Sequence, residues 1–407
     1  MIHSTGINTE RNINVNGNSK GSTIMNRICD ANQLKILQIC HGPVLPEYIS
    51  AYSLRCHGLL PNLGSTIVSA GGTIVHDAKD GNTFQFHSLL LTLYAILKSN
   101  RSFEILLSRG IFLRRKYVRF VSSLIGVSDV IVFEGPWQYD LFRHLLSNKV
   151  IVYDAHNCEG QLRAGNKYHD YVEGLERELT RDAHIIFSVT NKDLVSLSED
   201  NELIKKKIHL IPHVLPRKSV VWEGIDSNNI CFIGSIYGPN ISALNFILNL
   251  SSELPEYVFH IIGNVKSIVK GKKYRNVKFH GIVSEEEKTR ILCNSLFALN
   301  PVSEGSGRNV KMMDYLLHQV PVISTEVGIR GFECYNIRDS VIVVELSDFS
   351  KVLKQHYFNR DPLAVYSRSS GILYKAIVEN ETKETPEKIV REYMFRNNWR
   401  ITTIHCQ

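Results

Sequence analysis

The feature that most constrains this chain is a repeated one: short runs that are apolar almost throughout, separated by stretches with helical spacing. LKILQIC (34–40), VSDVIVFEGP (127–136), KVIVYDAHN (149–157), HIIFSVT (184–190) and KIHLIPHV (207–214) form a first set. NICFIGS (229–235), YVFHIIG (257–263), VKFHGIV (277–283), SLFALNP (295–301), PVISTEV (321–327) and SVIVVE (340–345) form a second. Strands that lack polar alternation need cover on both faces, so this pattern predicts parallel sheets sandwiched by helices. The expected fold class is α/β, with two Rossmann-like doubly wound domains facing a cleft at the carboxyl ends of their strands.

The expected boundaries are a flexible polar, Asn-rich tail over 1–32, a first domain over 33–214, a linker over 215–228, a second domain over 229–380, and a helical segment over 381–407 that packs back on the first domain. With 407 residues and 43% hydrophobic content the chain has enough apolar material for two cores. Its eight cysteines are scattered, without a C-x-x-C pair or zinc-type spacing, which fits a reduced, cytoplasmic setting. The apolar run LLLTLYAIL (89–97) is too short to cross a bilayer as a helix. The following segment, 98–120, carries seven Lys/Arg against one Glu. It suits either a solvated helical hairpin or a helix lying on the anionic inner membrane face. No aromatic-basic interleaving accompanies that charge, so nucleic acid is not an expected partner.

The stretch EGSGRNVKMMDYLLHQVPVISTEVGIRGF (304–332) concentrates the chemistry. Gly305 and Gly307 permit close backbone approach, and a helix expected from about Arg308 would offer first-turn N–H groups to a phosphate. Lys311 and Asp314 are helical neighbours at i and i+3, facing the same way. A capped helix with a Lys311–Asp314 surface pair explains the same residues, and on spacing alone the two readings are balanced.

With FIGSIYGPNISALNFI, VKFHGIVSEEE and YDAHNCE, this stretch resembles the nucleotide-sugar glycosyltransferases of the GT-B fold, in particular the retaining family four, or group 1. The resemblance covers roughly 34–400 and is strongest over 229–332. It implies a donor site mostly in the second domain, an acceptor site mostly in the first, and no metal or other cofactor. The donor diphosphate would be bound by the helix start with Gly305, Ser306, Gly307, Arg308, Asn309 and Lys311, and by Gly234 and Ser235 of the FIGS turn. Asp314 stands where relatives carry a ribose-binding Glu. Ser235 and Asn240 stand where many relatives carry a phosphate-binding Arg and Lys, and Arg308 is the expected compensating cation. The family's first acidic position falls on Ser306, so Glu304 is out of register.

His156 matches a family histidine that contacts the donor sugar, and with Lys311 it is the expected catalytic pair. Two structural alternatives are a strand-end histidine satisfied by backbone and an Asp154/His156/Cys158 nucleophilic set. Glu134, Asn157 and Glu304 are candidates for acceptor or sugar contacts. The expected function is transfer of a hexose from a nucleotide diphosphate sugar to a hydroxyl of a glycan or lipid-linked glycan, with retention, in cell-surface polysaccharide or glycoconjugate assembly. A nucleotide-sugar epimerase and a non-catalytic nucleotide- or glycan-binding protein are the alternatives.

Overall fold

The computed structural model describes residues 34–42, 44, 51–60, 63–70, 78–86, 105, 115–199, 201–212, 220–269, 274–305, 307–381 and 383–399. The polar tail over 1–32, the apolar run 89–97, most of the basic segment 98–120 and Ser306 lie outside the described residues.

The first domain is built on a sheet of order β3-β4-β2-β1-β5-β6-β7-β8. Its strands are β1 (Ile36–Cys40), β2 (Thr66–Ala70), β3 (Ala78–Asp80), β4 (Thr83–Phe86), β5 (Val130–Glu134), β6 (Val150–Ala155), β7 (Ile185–Ser188) and β8 (Ile208–Leu210). All neighbours pair parallel except β3, which runs antiparallel to β4 at the edge. Strands β2, β3 and β4 were not expected from the sequence. TFQF alternates polar and apolar residues and AKD has a single small apolar residue, so neither looks like a fully covered strand.

Side chains alternate between two cores with the strand period. Leu37, Ile39, Ile131, Phe133, Ile151 and Tyr153 meet the helix α1 (Arg115–Val127) through Tyr117, Val121, Leu124 and Ile125. Ile36, Val130, Val132, Val150 and Val152 face the other way, onto Leu59 and onto Ile389, Val390 and Met394 of the C-terminal helix Pro386–Arg396. That helix, capped by Thr385 with Pro386 at its start, therefore covers the first sheet although it follows the second domain in the chain.

The second sheet has the order β11-β10-β9-β12-β13-β14, all parallel. Its strands are β9 (Asn229–Ile233), β10 (Val258–Ile262), β11 (Val277–Gly281), β12 (Phe297–Asn300), β13 (Val322–Ser324) and β14 (Val341–Val343). Residues 220–228, expected as linker, belong to this domain instead. Trp222 enters its core and donates from Nε1 to the Ser295 carbonyl at 2.7 Å, a burial that fixes the strand-entry segment. In the first sheet the strand order reverses between β1 and β5, and in the second between β9 and β12. Crevices at such reversals are where open α/β sheets bind ligands.

Candidate active site

Both reversal points carry polar groups. On the first sheet, the row Val150–Val152 continues through Asp154 to His156, and the row Val130–Val132 continues to Glu134, all on one face. His156 Nε2 lies 2.8 Å from Glu134 Oε2 and 3.2 Å from Asp154 Oδ2. Asp154 is bound by Arg55, whose Nε donates to Oδ2 at 2.7 Å and whose Nη1 donates to the Ile211 carbonyl at 2.8 Å. The Gln38 amide, turned so that its nitrogen meets acceptors, donates to Glu134 Oε1 at 2.9 Å.

Burial disfavours the His156 cation, yet the charge and hydrogen bond of Asp154, joined by those of Glu134, push its pKa up to about 9. Burial raises the Asp154 pKa, but Arg55 and His156 overcome it and hold the carboxylate well below its usual range. Glu134 is raised, by burial and then by the charge of Asp154. His41, bonded to the Glu134 carbonyl at 2.7 Å, is pulled down to about 3 by burial and by the charge on His156, and stays neutral. The Tyr52 ring stands 5.0 Å from the His156 ring.

Cys56, Glu134 and His156 bring metal-ligand atom types within 4.8 Å of one another. In the structure Glu134 Oε2 faces His156 and Oε1 faces the turned Gln38 amide, and burial raises the Cys56 pKa. The Asp154/His156/Cys158 nucleophile is ruled out. Cys158 points its sulfur at Glu176, and burial followed by the Glu176 charge pushes its pKa up to about 12. Glu176 accepts from the N–H groups of Glu159 and Gly160, each at 2.9 Å, and thereby fixes the turn that carries His156 and Asn157.

On the second sheet, the helix α2 (Lys311–Leu317) starts at Lys311 rather than Arg308. The reason lies in the loop before it. Arg308 turns inward, pairs with Glu381 at 2.7 Å and stacks 4.2 Å over Phe332, while Asn309 donates from its backbone to Arg330 and from its side chain to Asn300. Arg308 is thus buried inside the domain and is not the compensating cation at the cleft.

Lys311 Nζ donates to Asn240 Oδ1 at 2.7 Å and lies 4.5 Å over the Phe232 ring. Burial, and then the nearby Arg330, lower its pKa to about 7. Asn240 in turn donates to the Ser235 hydroxyl at 3.2 Å, which ties the FIGS turn to Lys311. Gly234 is buried there, and its carbonyl would meet a Cβ on Gly263 at 2.1 Å. Asp314 is not paired with Lys311: its Oδ1 accepts from Lys288 at 3.0 Å. Glu304 is exposed.

The two clusters meet through Gly307. A Cβ on this residue, whose φ is +66°, would stand 2.5 Å from Asn157 Oδ1 and 3.2 Å from the His156 carbonyl. The glycine loop of the second domain therefore abuts the His156 turn of the first. Arg330, absent from the sequence reading, lies against the same loop. Its only advance signal was a cation within GIRGF, just past a strand of the second domain.

Residues 227–354 match the family model described as Glycosyl transferases group 1. No curated protein matches the sequence. Among solved structures, HepE of Anabaena in complex with UDP and glucose aligns with a TM-score of 0.63 at 10% identity, over 89% of this chain and 100% of that one. Sucrose-phosphate synthase of Thermosynechococcus elongatus aligns with a TM-score of 0.63 at 8% identity, over 90% and 99%. TarM aligns with a TM-score of 0.50 at 14% identity, over 68% of this chain but only 57% of TarM. The chain has the GT-B fold, and its second domain carries the group 1 glycosyltransferase match. Among the described residues, no helix is long and apolar enough to cross a membrane.

Proposed function

We propose that the protein transfers a hexosyl group from a nucleoside diphosphate sugar to a hydroxyl of a glycan or lipid-linked glycan, with retention of configuration, as a family four enzyme. The observation that carries this reading is Lys311. A half-buried cation, held by a neutral amide and an aromatic face at a glycine loop, is poised for an anion, and that loop abuts His156 and Asn157 across the cleft. HepE, the neighbour solved with UDP and glucose, supports the donor class.

In the proposed reaction the bond from the anomeric carbon to the leaving diphosphate breaks and the acceptor oxygen bonds to that carbon. The acceptor proton passes to a leaving phosphate oxygen. His156, held protonated near neutral pH with Nε2 engaged by Glu134 and Asp154, is not the base; it lends positive charge beside the departing diphosphate. Lys311 stabilises the same charge, and Asp314 meets the ribose. Glu134 acts by holding His156 and so is a positioning residue. The diphosphate charge is met by protein cations without metal.

Arg115, Lys116 and Arg119 of α1, at the described end of the basic segment, support an acceptor presented at an anionic cytoplasmic membrane face within cell-surface glycan assembly. The reading is tested by incubating the protein with UDP-, GDP- and ADP-sugars and a glycolipid extract in EDTA. The expected result is acceptor-dependent release of the nucleoside diphosphate and a product whose anomeric proton coupling matches the donor. Conversion of the donor alone would instead identify an epimerase, and binding without turnover a non-catalytic protein.

A further inference from the structure

Lys311 is one cation, whereas the leaving group proposed above carries two phosphates. The turn after β9, with Ser235 and Asn240, supplies no second positive charge. Among the described residues, Arg308 pairs with Glu381, Lys288 with Glu285 and Asp314, and Arg338 with Glu326.

Arg330 lies at the glycine loop itself. It follows the short helical turn Val327–Ile329 after β13, and its Nη1 donates to the Val327 carbonyl at 3.0 Å, which sets the plane of the guanidinium. A Cβ on Gly305, whose φ is +124°, would stand 2.9 Å from Nη2, so the guanidinium lies against the loop backbone there. The Arg330 carbonyl accepts from Asn309 N–H at 3.3 Å, which ties the same residue to the far end of that loop. Pro239, next to the residue that holds Lys311, would meet the same Gly305 Cβ at 3.5 Å. Arg330 therefore lies against the glycine loop, close enough to Lys311 for its charge to act on that amine.

We propose that Arg330 is the second diphosphate-binding residue of this protein, taking with its guanidinium fork the phosphate that Lys311 does not hold. The inference rests on the nucleoside diphosphate reading of the cleft. Two like charges at a partly buried loop cost free energy without an anion; burial, and then the charge of Arg330, lowers the Lys311 pKa, and burial lowers that of Arg330. A planar fork binds phosphate oxygens in pairs, which a lysine does not reproduce.

The test is the ratio of affinities for a nucleoside diphosphate and its monophosphate, measured by calorimetry for the UDP/UMP, GDP/GMP and ADP/AMP pairs. Lys311 suffices for one phosphate, so Arg330→Gln is expected to lower diphosphate affinity by about tenfold or more and monophosphate affinity by less than about threefold. Arg330→Lys is expected to fall between. A residue that merely supported the loop would weaken both ligands together, so an unchanged ratio in Arg330→Gln overturns the proposal. If that variant does not fold, an unchanged ratio in Arg330→Lys does the same. Should the native protein bind none of the diphosphates, the reading of the cleft falls and the role of Arg330 with it. Diphosphate binding that survives intact in the variants removes Arg330 alone.

Discussion

Lys311 Nζ donates to Asn240 Oδ1 at 2.7 Å, so the cation at the glycine loop is held by an uncharged partner. Burial and Arg330 bring its pKa to about 7. A bound diphosphate favours the charged amine and raises that value, so binding takes up a proton above neutrality. Diphosphate affinity is expected to be greatest below about pH 7 and to weaken as pH rises through and beyond that value. Calorimetry at roughly pH 8 in two buffers of different ionisation heat reads the uptake directly. Equal apparent enthalpies in the two buffers would contradict it.

Glu134 reaches the reaction only through His156. Glu134→Gln removes one of the two carboxylates that raise the His156 pKa, so the imidazole resonance is expected to titrate about one unit lower or more. Turnover should drop about tenfold or more with little change in donor KM. The native ion pair also sets a pH window for stability. The His156 value lies above the ordinary 6.5, so its contribution is complete below 6.5 and fades as pH rises through about 9. Thermal melts of native and Glu134→Gln protein across this range should converge at the alkaline end.

Gly307 is the point of contact between the two clusters. Gly307→Ala combines a left-handed φ of +66° with a Cβ only 2.5 Å from Asn157 Oδ1, so it should separate the loop from the His156 turn. The expected result is a loss of turnover of about 100-fold and a fall in stability of about 1 kcal/mol or more. Asn157→Ala removes the obstructing oxygen, and a double-mutant cycle should show positive coupling between the two sites. Strict additivity of the rate losses would show that the contact is immaterial.

Arg308 and Glu381 form a buried pair inside the second domain. Glu381→Ala leaves the guanidinium without its counter-charge and is expected to destabilise the protein by about 3–5 kcal/mol, read in urea melts. Arg308→Met with Glu381→Leu should recover much of that loss. This double variant should also bind nucleoside diphosphate within about threefold of native, because Arg308 does not reach the cleft. A larger loss of binding would return Arg308 to the donor site.

The doubly wound architecture was legible because fully covered parallel strands such as VIVFE and VIVYDA have no other stable setting. The edge strand β3 and its antiparallel neighbour β4 were hidden because neither carries a continuous apolar run. Trp222 looked like linker because its burial depends on Ser295, distant in sequence. At the site, Lys311 was visible as a cation beside glycines. The inward turn of Arg308 was not, since its partners Phe332 and Glu381 arrive from later elements. The pinning of His156 by Glu134, Asp154 and Arg55 was equally hidden, because adjacent strands and a helix bring these residues together.

The central claim is that Lys311 holds a donor diphosphate in this cleft. Titration of UDP, GDP and ADP into native protein and Lys311→Met tests it most directly. At least one diphosphate should bind native protein, and Lys311→Met should bind it about 30-fold more weakly or worse. Because the substitution removes a partly buried cation, the ligand-free variant should be at least as stable as native, by up to about 1–2 kcal/mol, so the loss cannot be unfolding. Absence of binding by native protein, or undiminished binding by a folded Lys311→Met, would contradict the account.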